Sequence, residues 1–212
     1  MREGIILKGY GGFYYIKSGN ETWRCRGRGR LRREQVLLAG DWVLFTPLKE
    51  GEGIIESIKP RKNELPRPPV ANVDQVINIV SLAEPMPDLK LLDRSLVLCE
   101  LKKLEVLICF NKVDLVDEKK ARQLMEIYQQ AGYKTALTSA LYGSGLDLVC
   151  QHLAGKVSVL SGPSGAGKST LLNALDPNLK LKTGEISKKL KRGKHTTRYV
   201  ELLELCGGFV AD

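Results

Sequence analysis

The amino-acid sequence predicts a β-barrel domain followed by a domain built around a parallel α/β sheet. Three observations lead to this fold class. The chain has 212 residues, which is enough to bury two modest cores. Residues 1–60 hold short β-rich segments, whereas after a proline-rich stretch continuous apolar segments alternate with helical ones. The expected architecture is therefore β followed by α/β.

The predicted barrel consists of five short strands separated by turns rich in glycine and polar residues. The strands are expected at residues 4–7, 12–17, 22–28, 41–47 and 53–58. Five strands of this length in so short a segment favour a small barrel of the OB type, which we assign to residues 1–62.

A polar, proline-rich segment follows the barrel, and residues 63–72 are predicted to be an interdomain linker. The second domain is assigned to residues 73–212. Strands are predicted at 76–82, 105–110, 134–138 and 156–160, and helices at 89–101, 118–131, 146–153 and from 168 onward. Because strands alternate with helices, the sheet is expected to be parallel.

The segment between the last predicted strand and helix matches the phosphate-binding pattern G-x-x-x-x-G-K-[S/T]. Glycines let the backbone N–H groups point at phosphate oxygens, and the helix N-terminus adds a favourable dipole. We expect Lys168 to neutralise phosphate charge as a catalytic residue, and the Ser169 hydroxyl to bind Mg²⁺. The alternative is a glycine-rich turn without a ligand. The predicted phosphate-binding residues are Gly162, Pro163, Ser164, Gly165, Ala166, Gly167, Lys168, Ser169 and Thr170.

Two further motifs follow earlier predicted strands and indicate guanine recognition. In the first, N-K-x-D, the Asp114 carboxylate can accept hydrogen bonds from two guanine donors that adenine lacks. Lys112 can cover the base, and Asn111 can tie its loop towards the phosphate loop. In the second, Ser139 and Ala140 resemble the S-A motif whose backbone contacts the guanine carbonyl. Ordinary polar loops are the alternative, but ligands bind at this edge of an open α/β sheet.

The order of the motifs is unusual, because the base motifs precede the phosphate loop. In conventional small GTPases the phosphate loop comes first. A circular permutation explains the difference without altering the site, since the sheet needs the same strands whatever order joins them. The sequence therefore predicts a circularly permuted P-loop GTPase that uses GTP, GDP and Mg²⁺.

With these motifs the chain resembles the family of small-ribosomal-subunit biogenesis GTPases known as RsgA, YjeQ or YloQ. The similarity covers the whole chain and includes GDWV at 40–43, ANVDQV at 71–76 and GKHTT at 193–197. The resemblance implies an OB domain, a permuted GTPase domain and a zinc-binding C-terminal domain. It also implies binding to the 30S ribosomal subunit and its 16S rRNA late in assembly, with GTP hydrolysis stimulated by the particle.

The same resemblance assigns roles near the end of the chain. Thr196 or Thr197 is expected to sense Mg²⁺ and the γ-phosphate in switch I. His195 is expected to position the attacking water, and a solvated side chain or an RNA contact is the alternative. Asp212 corresponds to the start of the D-T-P-G switch II motif, an indirect Mg²⁺ ligand. We therefore expect a GTPase domain truncated at switch II, with the zinc domain and its Zn²⁺ outside this chain.

Positive charge is concentrated in two segments of this chain of net charge +9. Residues 1–70 carry 14 Lys/Arg against 8 Asp/Glu, and residues 180–198 carry eight against one. Alternate arginines on the third predicted strand would share one face. OB barrels use such faces to bind RNA, whereas a solvated basic edge that blocks strand pairing is the alternative. The predicted RNA contacts are Arg24, Arg26, Arg28, Arg30, Arg32 and Arg33, with Trp23, Tyr14 and Tyr15 nearby.

Composition limits the remaining possibilities. The five cysteines form no C-x-x-C pair, so we expect reduced, buried thiols and not a disulfide framework or a zinc knuckle. No apolar run approaches the roughly 18 residues that cross a membrane, and the N-terminus has no signal-peptide pattern. A cytoplasmic monomer without membrane contacts is predicted.

Three functions are compatible with these motifs. The first is a ribosome-assembly GTPase, in which GTP hydrolysis changes how tightly the protein binds the small subunit. The second is an RNA-binding module that uses GTP purely as a conformational ligand. The third is an ATP-dependent kinase, since P-loops are widely shared, although Asn111 and Asp114 argue against it.

Overall fold

The computed structural model describes residues 1–29, 36–49, 51–182 and 200–211. This part of the chain divides into two compact units. The first contains Met1–Val73 with residues 200–203 and 211, and the second contains residues 74–182 and 204–210. One unit is built on a closed barrel and the other on an α/β sheet, so the predicted fold class is confirmed.

Five strands form the barrel of the first unit. They are β1 (Arg2–Tyr10), β2 (Phe13–Ser18), β3 (Glu21–Gly27), β4 (Trp42–Pro47) and β5 (Glu52–Ile58). Their order is β1-β2-β3-β5-β4, and β1 pairs with β4 to close the barrel. Alternate side chains fill the interior, where Ile6, Ile16, Phe45 and Ile55 are fully buried. Closure gives each of the five strands a partner on both sides, which removes the edges of the sheet.

A buried ion pair stabilises the region where the barrel meets the segment after it. The Asp41 carboxylate is fully buried and accepts hydrogen bonds from Nε of Arg61 at 2.6 Å and from Nη2 at 2.8 Å. The backbone N–H of Leu38 donates a third bond at 2.8 Å. These three donors satisfy a carboxylate that would otherwise be costly to bury. The hydrogen bond to Asp41 also raises the pKa of the Arg61 guanidinium.

Residues 63–72, predicted as a linker, contain a short antiparallel hairpin. Its strands are β6 (Glu64–Pro66) and β7 (Pro69–Ala71). The Asn72 side chain accepts from the N–H of Lys62 at 2.9 Å and donates to the carbonyl of Gly40 at 2.8 Å. The prolines suggested a linker because proline removes a backbone donor, but a two-stranded hairpin tolerates that loss. The exact domain boundaries stay a prediction.

A six-stranded sheet, most of which belongs to the second unit, follows. Its strands are β8 (Gln75–Ser81), β9 (Glu105–Asn111), β10 (Lys134–Thr138), β11 (Val157–Ser161), β12 (Leu202–Leu205) and β13 (Gly208–Ala211). Their order is β10-β9-β8-β11-β13-β12. β8 pairs in parallel with β9 and β11, and β9 with β10. Every residue of β8 is buried, including the polar residues Gln75, Asn78 and Ser81. Burial on both faces explains why β8 lacks the apolar–polar alternation of a strand with one solvated face.

Four helices connect these strands. They are α1 (Leu89–Leu101), α2 (Glu118–Gln130), α3 (Leu146–Leu153) and α4 (Lys168–Leu175). Asp88 caps α1 and Asp117 caps α2 through side-chain bonds to backbone N–H groups of the first turn. Within the described ranges, no helix has the length and apolar character that a membrane crossing requires.

The prediction that all five cysteines are reduced is wrong for two of them. Cys150 on α3 and Cys206 in the β12–β13 turn form a disulfide, although 56 positions separate them in the chain. Cys25, Cys99 and Cys109 are free and buried, as expected. Spacing could not indicate the pair, because only the packing of the hairpin turn beside α3 brings the two sulfur atoms together.

Candidate nucleotide site and barrel surface

The predicted phosphate loop joins the end of β11 to the start of α4. Two of its glycines occupy positions that no other residue could fill without rearrangement. Gly162 has φ +149°, and a Cβ there would lie 2.4 Å from the carbonyl oxygen of Ile79. Gly167 has φ +99°, and a Cβ there would lie 2.3 Å from Nδ2 of Asn111. The glycine pattern therefore reflects both backbone conformation and close contact with neighbouring strand ends.

Lys168 lies at the first position of α4 and turns back over its own loop. Its Nζ donates to the carbonyl oxygens of Gly162 at 2.8 Å and Pro163 at 3.0 Å. The ammonium is therefore held over the loop at the amino end of a helix, where phosphate is favoured. A bound anion could therefore attract the ammonium of Lys168 away from these two carbonyl oxygens.

Asn111 connects the two predicted base motifs with the phosphate loop. The side chain is 1% exposed, and its Nδ2 donates to the carbonyl of Ala166 at 2.9 Å. Its Oδ1 accepts from the N–H of Ala140 and from Oγ1 of Thr138, both at 3.2 Å. One buried amide thus fixes three loops relative to one another, because each of its polar groups has a partner.

The register of the sheet explains why these loops meet. Ser81 at the end of β8 lies opposite Asn111 at the end of β9, and Asn111 lies opposite Thr138 at the end of β10. In a parallel sheet such aligned carboxyl ends open onto one edge, where ligands of α/β proteins bind. The second unit thus has a single edge at which base and phosphate motifs are combined.

The side chain of Asp114 is exposed at this edge and is oriented by its neighbours. The Ser139 hydroxyl donates to Oδ1 of Asp114, and the N–H of Tyr142 lies 3.4 Å from that hydroxyl oxygen. Lys112 adopts the left-handed conformation with φ +67°, and its Nζ donates to the carbonyl of Glu84. One carboxylate oxygen of Asp114 is therefore engaged internally, while the exposed position of the side chain leaves it accessible to a ligand.

Several contacts at this site carried no signal in the sequence. Thr138 precedes the S-A pair and bonds to Asn111, and the carbonyl groups of Glu84 and Ala166 receive Lys112 and Asn111. Backbone carbonyls are present at every position, so residue identity cannot mark them. Thr138 could have been found, because a polar residue ending a buried strand needs a partner.

Part of the predicted site falls outside the described residues. His195, Thr196, Thr197 and Asp212 lie there, as do Arg30, Arg32 and Arg33 of the predicted RNA-binding strip. Their roles stay predictions. Ser169, the other predicted Mg²⁺ ligand, is half-buried on the first turn of α4, next to Lys168.

The residues near the phosphate loop fit a magnesium–phosphate group. The first turn of α4 supplies a hydroxyl that can bind the cation, and the ammonium at the loop can bind phosphate. The glycine positions, which have no room for Cβ, allow the backbone N–H groups of the loop to approach phosphate oxygens. In the described part of the chain, no cluster of three or more His, Cys, Asp or Glu residues could hold a metal by protein ligands alone.

On the barrel, the described arginines do share one exposed face. Arg24, Arg26 and Arg28 are exposed, whereas Trp23 and Cys25 between them are buried. This is the alternation that a strand with one buried face requires.

Two of these arginines are paired with carboxylates of β5. Arg24 forms an ion pair with Glu52, and Nη1 of Arg28 lies 3.0 Å from Oε2 of Glu56. The hydrogen bond from Arg24 lowers the pKa of Glu52, so this carboxylate stays ionised. The guanidinium carbons of Arg24 and Arg26 lie 4.7 and 4.4 Å from the ring centroid of Phe13. On this face two guanidinium groups thus lie against an aromatic ring, and carboxylates of the neighbouring strand β5 partly neutralise the positive charge.

Trp23 does not belong to this surface, contrary to its predicted place beside the arginines. It is 8% exposed and packs on Phe45 with ring centroids 5.6 Å apart. Odd positions of β3 point into the barrel, so Trp23 contributes to the core and not to an RNA platform.

Comparison with known proteins agrees with this architecture. The family model described as RsgA GTPase matches residues 58–212, and the one described as RsgA N-terminal domain matches residues 3–55. The Moorella thermoacetica protein named small ribosomal subunit biogenesis GTPase RsgA is 51% identical over 99% of this chain and 73% of its own length. The Geobacillus thermodenitrificans protein of the same name is 50% identical over 100% of this chain and 74% of its own length.

Two solved structures are similar over the entire chain. YjeQ from Thermotoga maritima superposes with a TM-score of 0.85 at 37% identity, and YloQ, described as a circularly permuted GTPase, with 0.81 at 38%. They are covered over 73% and 70% of their own length. The strand order and the motif order of the present chain are those of a permuted sheet. The chain belongs to the RsgA family of circularly permuted GTPases.

Proposed function

We propose that this GTPase binds GTP at the carboxyl edge of its parallel sheet and assists maturation of the small ribosomal subunit. The observation that carries the proposal is the position of Asn111, whose amide bonds to Ala166 of the phosphate loop and to Ala140 of the base motif. A nucleotide that reaches both loops would bind to a preformed frame. This makes guanine recognition and phosphate binding parts of one site.

Base selection would come from Asp114. Ser139 orients the carboxylate by donating to Oδ1, and the exposed part of the group remains available for the ring N–H and exocyclic amine of guanine. Adenine offers no such pair of donors, so it would leave the carboxylate and the nearby backbone N–H groups without partners. Lys112, fixed on the carbonyl of Glu84, would lie along the base.

Phosphate binding would use the backbone of residues 162–167 and the side chain of Lys168. Because the ammonium now bonds to two loop carbonyls, GTP would replace neutral acceptors with charged phosphate oxygens, a stronger hydrogen bond. Mg²⁺, when bound, would supply charge neutralisation between the β- and γ-phosphates. Ser169 would hold its hydroxyl towards that ion, with Thr196 or Thr197 and, indirectly, Asp212 as further contributors.

Hydrolysis requires that a water molecule be positioned to attack the γ-phosphorus from the side opposite the GDP leaving group. His195 is our proposed positioning residue, because the family resemblance places it in switch I, whose role in GTPases is to respond to the γ-phosphate. In this proposal the intrinsic reaction is slow and the ribosomal particle accelerates it.

The proposed partner is the 30S subunit, contacted through 16S rRNA. The names of the relatives describe small-ribosomal-subunit biogenesis. The exposed guanidinium layer of Arg24, Arg26 and Arg28 has the charge and the stacking surface that RNA binding uses. Such a protein would act in the cytoplasm, where small subunits mature, and we propose that it acts as a monomer.

Two measurements test the proposal. Single-turnover hydrolysis of GTP, with and without purified 30S subunits, should be faster with them, and ATP should compete poorly. Co-sedimentation with 30S subunits should depend on the nucleotide, with tighter binding in the presence of a non-hydrolysable GTP analogue. Binding that responds to GTP without any turnover would instead support a module that uses GTP as a conformational ligand.

A further inference from the structure

The hairpin that ends the described chain has a cysteine in its turn. β12 ends at Leu205 and β13 begins at Gly208, so Cys206 and Gly207 form a two-residue loop. Their φ angles are +51° and +72°, which is the conformation of a type I′ turn. Glycine adopts it without strain, whereas cysteine does not favour it. Cys206 therefore occupies a position where its backbone conformation has a cost that the surroundings must offset.

The offsetting contact is covalent. Sγ of Cys206 is bonded to Sγ of Cys150 on α3, with Cα atoms 5.3 Å apart. Both residues are half-buried, so each remains within reach of small reagents. The bond joins positions separated by 56 residues, and it therefore restrains a long loop of the unfolded chain.

Backbone contacts hold the same turn in place independently of the sulfur atoms. The N–H of Gly155 donates to the carbonyl of Gly207 at 3.0 Å, and the N–H of Phe209 donates to the carbonyl of Lys156 at 2.8 Å. A Cβ at Gly208 would lie 1.9 Å from the carbonyl oxygen of Leu153, so the two backbones are in direct contact. The two thiols would thus stay adjacent after reduction, and the bond could form again.

The other cysteines lie in surroundings that suppress their reactivity. Burial raises the pKa of the Cys25 thiol to about 11 and that of Cys109 to about 12. Cys99 is also buried, and burial raises its pKa as well. Since the thiolate is the reactive form, these three thiols are protected at neutral pH. Thiol chemistry is therefore directed to the one half-buried pair.

We propose that Cys150 and Cys206 form a thiol–disulfide exchange site whose reactant is a low-molecular-weight disulfide such as glutathione disulfide. One protein thiolate attacks the small disulfide, which forms a mixed disulfide and releases one small thiol. The second protein thiolate then attacks the mixed disulfide, the protein S–S bond forms, and a second small thiol leaves. Two protein thiols are oxidised and one small disulfide is reduced to two thiols, with both protons transferred to the products.

The position of the hairpin gives this exchange a consequence for the GTPase, a part that rests on the proposed function. β12 follows the segment 183–199, and β13 precedes Asp212, the two places where the sequence predicts contacts with Mg²⁺ and the γ-phosphate. A cross-link from the hairpin turn to α3 restrains the strands that lead to both segments. Oxidised and reduced protein should therefore differ in stability and in GTP turnover.

The first experiment counts thiols in the full chain. The protein is equilibrated with glutathione buffers of decreasing reducing strength and then denatured in the presence of iodoacetamide, which alkylates free thiols. The number of alkylated cysteines is then measured by mass spectrometry. Of the five cysteines, three should be alkylated in the oxidised limit and five in the reduced limit, with one transition between them. Five alkylated cysteines at every buffer composition would overturn the proposal.

The second experiment uses thermal unfolding, with and without dithiothreitol. Reduction should lower the melting temperature of the unsubstituted protein by roughly 5–10 °C. Three variants lack this bond: Cys150→Ser, Cys206→Ser and the double variant. Each should have the melting temperature of the reduced unsubstituted protein, and dithiothreitol should not change it. Cys99→Ala is the matched control and should keep the response. A response that persists in Cys150→Ser would refute the assignment.

The third experiment measures GTP turnover in the two redox states. The reduced and oxidised proteins should differ at least twofold, and the double serine variant should not respond to the buffer. Equal rates in a protein whose thiol count changes would remove the coupling to the GTPase. No turnover in either state, with the thiol transition intact, would refute the proposed function and leave the exchange site standing.

Discussion

The nucleotide edge of the α/β unit and the arginine face of the barrel differ in how strongly the structure determines their chemistry. At the edge, Asn111, Ala166 and Ala140 are held by buried hydrogen bonds, so motif and geometry coincide. On the face, Arg24 and Arg28 are exposed and already paired with Glu52 and Glu56. A motif made of backbone and buried groups specifies the geometry of a site. A run of like charges specifies only an electrostatic potential, which neighbouring charges then modify.

The largest expected effect tests the nucleotide edge. Lys168→Ala should weaken GTP binding by about 100-fold or more, because the variant cannot form a charge-assisted bond to phosphate. Its present acceptors are loop carbonyls near the surface, so the fold should survive. Isothermal titration and circular dichroism would measure the two quantities. Lys119→Ala on the exposed face of α2 is the control, and a Lys168→Ala protein that binds GTP normally would contradict the phosphate-loop assignment.

The second prediction tests whether the edge depends on close backbone contact. Gly167→Ala should weaken GTP binding about tenfold to 100-fold, since its Cβ would meet Nδ2 of Asn111 at 2.3 Å and displace the amide. Gly132→Ala is the matched control, because its φ of +92° is similar to the +99° of Gly167 but no atom lies within 4 Å. Both variants carry the same kind of backbone strain, so a loss of GTP affinity confined to Gly167→Ala shows that the effect arises in the phosphate loop and its contact with Asn111 and not from such strain elsewhere in the fold.

The third prediction concerns the choice of base. Asp114→Asn should cost GTP about 1–3 kcal/mol of binding free energy, which is about fivefold to 150-fold. Binding of xanthosine triphosphate should improve, because the amide matches the xanthine 2-carbonyl, while Ser139 can still donate to the remaining oxygen. Competition titrations with both nucleotides provide the measurement. Unchanged affinities for the two would show that Asp114 does not contact the base.

The smallest expected effect concerns the arginine face. Replacing Arg26, Arg28 and Arg30 by Glu should weaken 30S binding about tenfold, because the guanidinium groups would no longer neutralise phosphates. The slope of log affinity against log salt should become shallower by roughly 0.7–0.9 for every phosphate that the variant no longer neutralises. GTP affinity should not change. Co-sedimentation across a salt series is the measurement.

A charge-neutral counterpart sharpens this last test. Glu52→Gln with Glu56→Gln would release Arg24 and Arg28 from their ion pairs without altering the arginines. If the face binds rRNA, this variant should bind 30S subunits more tightly at low salt and show a steeper salt dependence. Wild-type binding in both variants would favour a solvated basic edge.

Much of the fold could be predicted from the sequence because its signals are local. The turns between barrel strands, the alternation in β3 and the largely apolar run at 76–82 each depend on neighbouring residues. Residues 63–72 show what local signals miss, since proline content predicted a linker but did not predict the hairpin within it or the bonds of Asn72 to Lys62 and Gly40. Trp23 shows a second limit, because it lies next to the arginines along the chain, whereas the alternation of β3 puts its side chain on the opposite, buried face.

By itself, the sequence determined the permuted order of the motifs and predicted the chemistry of the nucleotide site. Few other functions require this combination of residues. It consists of glycine, lysine and serine at fixed spacing, together with an asparagine and an aspartate after a buried strand. The tertiary structure decided which groups meet: Asn111 with Ala166, Arg24 with Glu52, and Cys150 with Cys206. The reason is physical, since backbone conformation and burial depend on near neighbours, whereas pairing depends on strand register and packing between segments far apart in the chain.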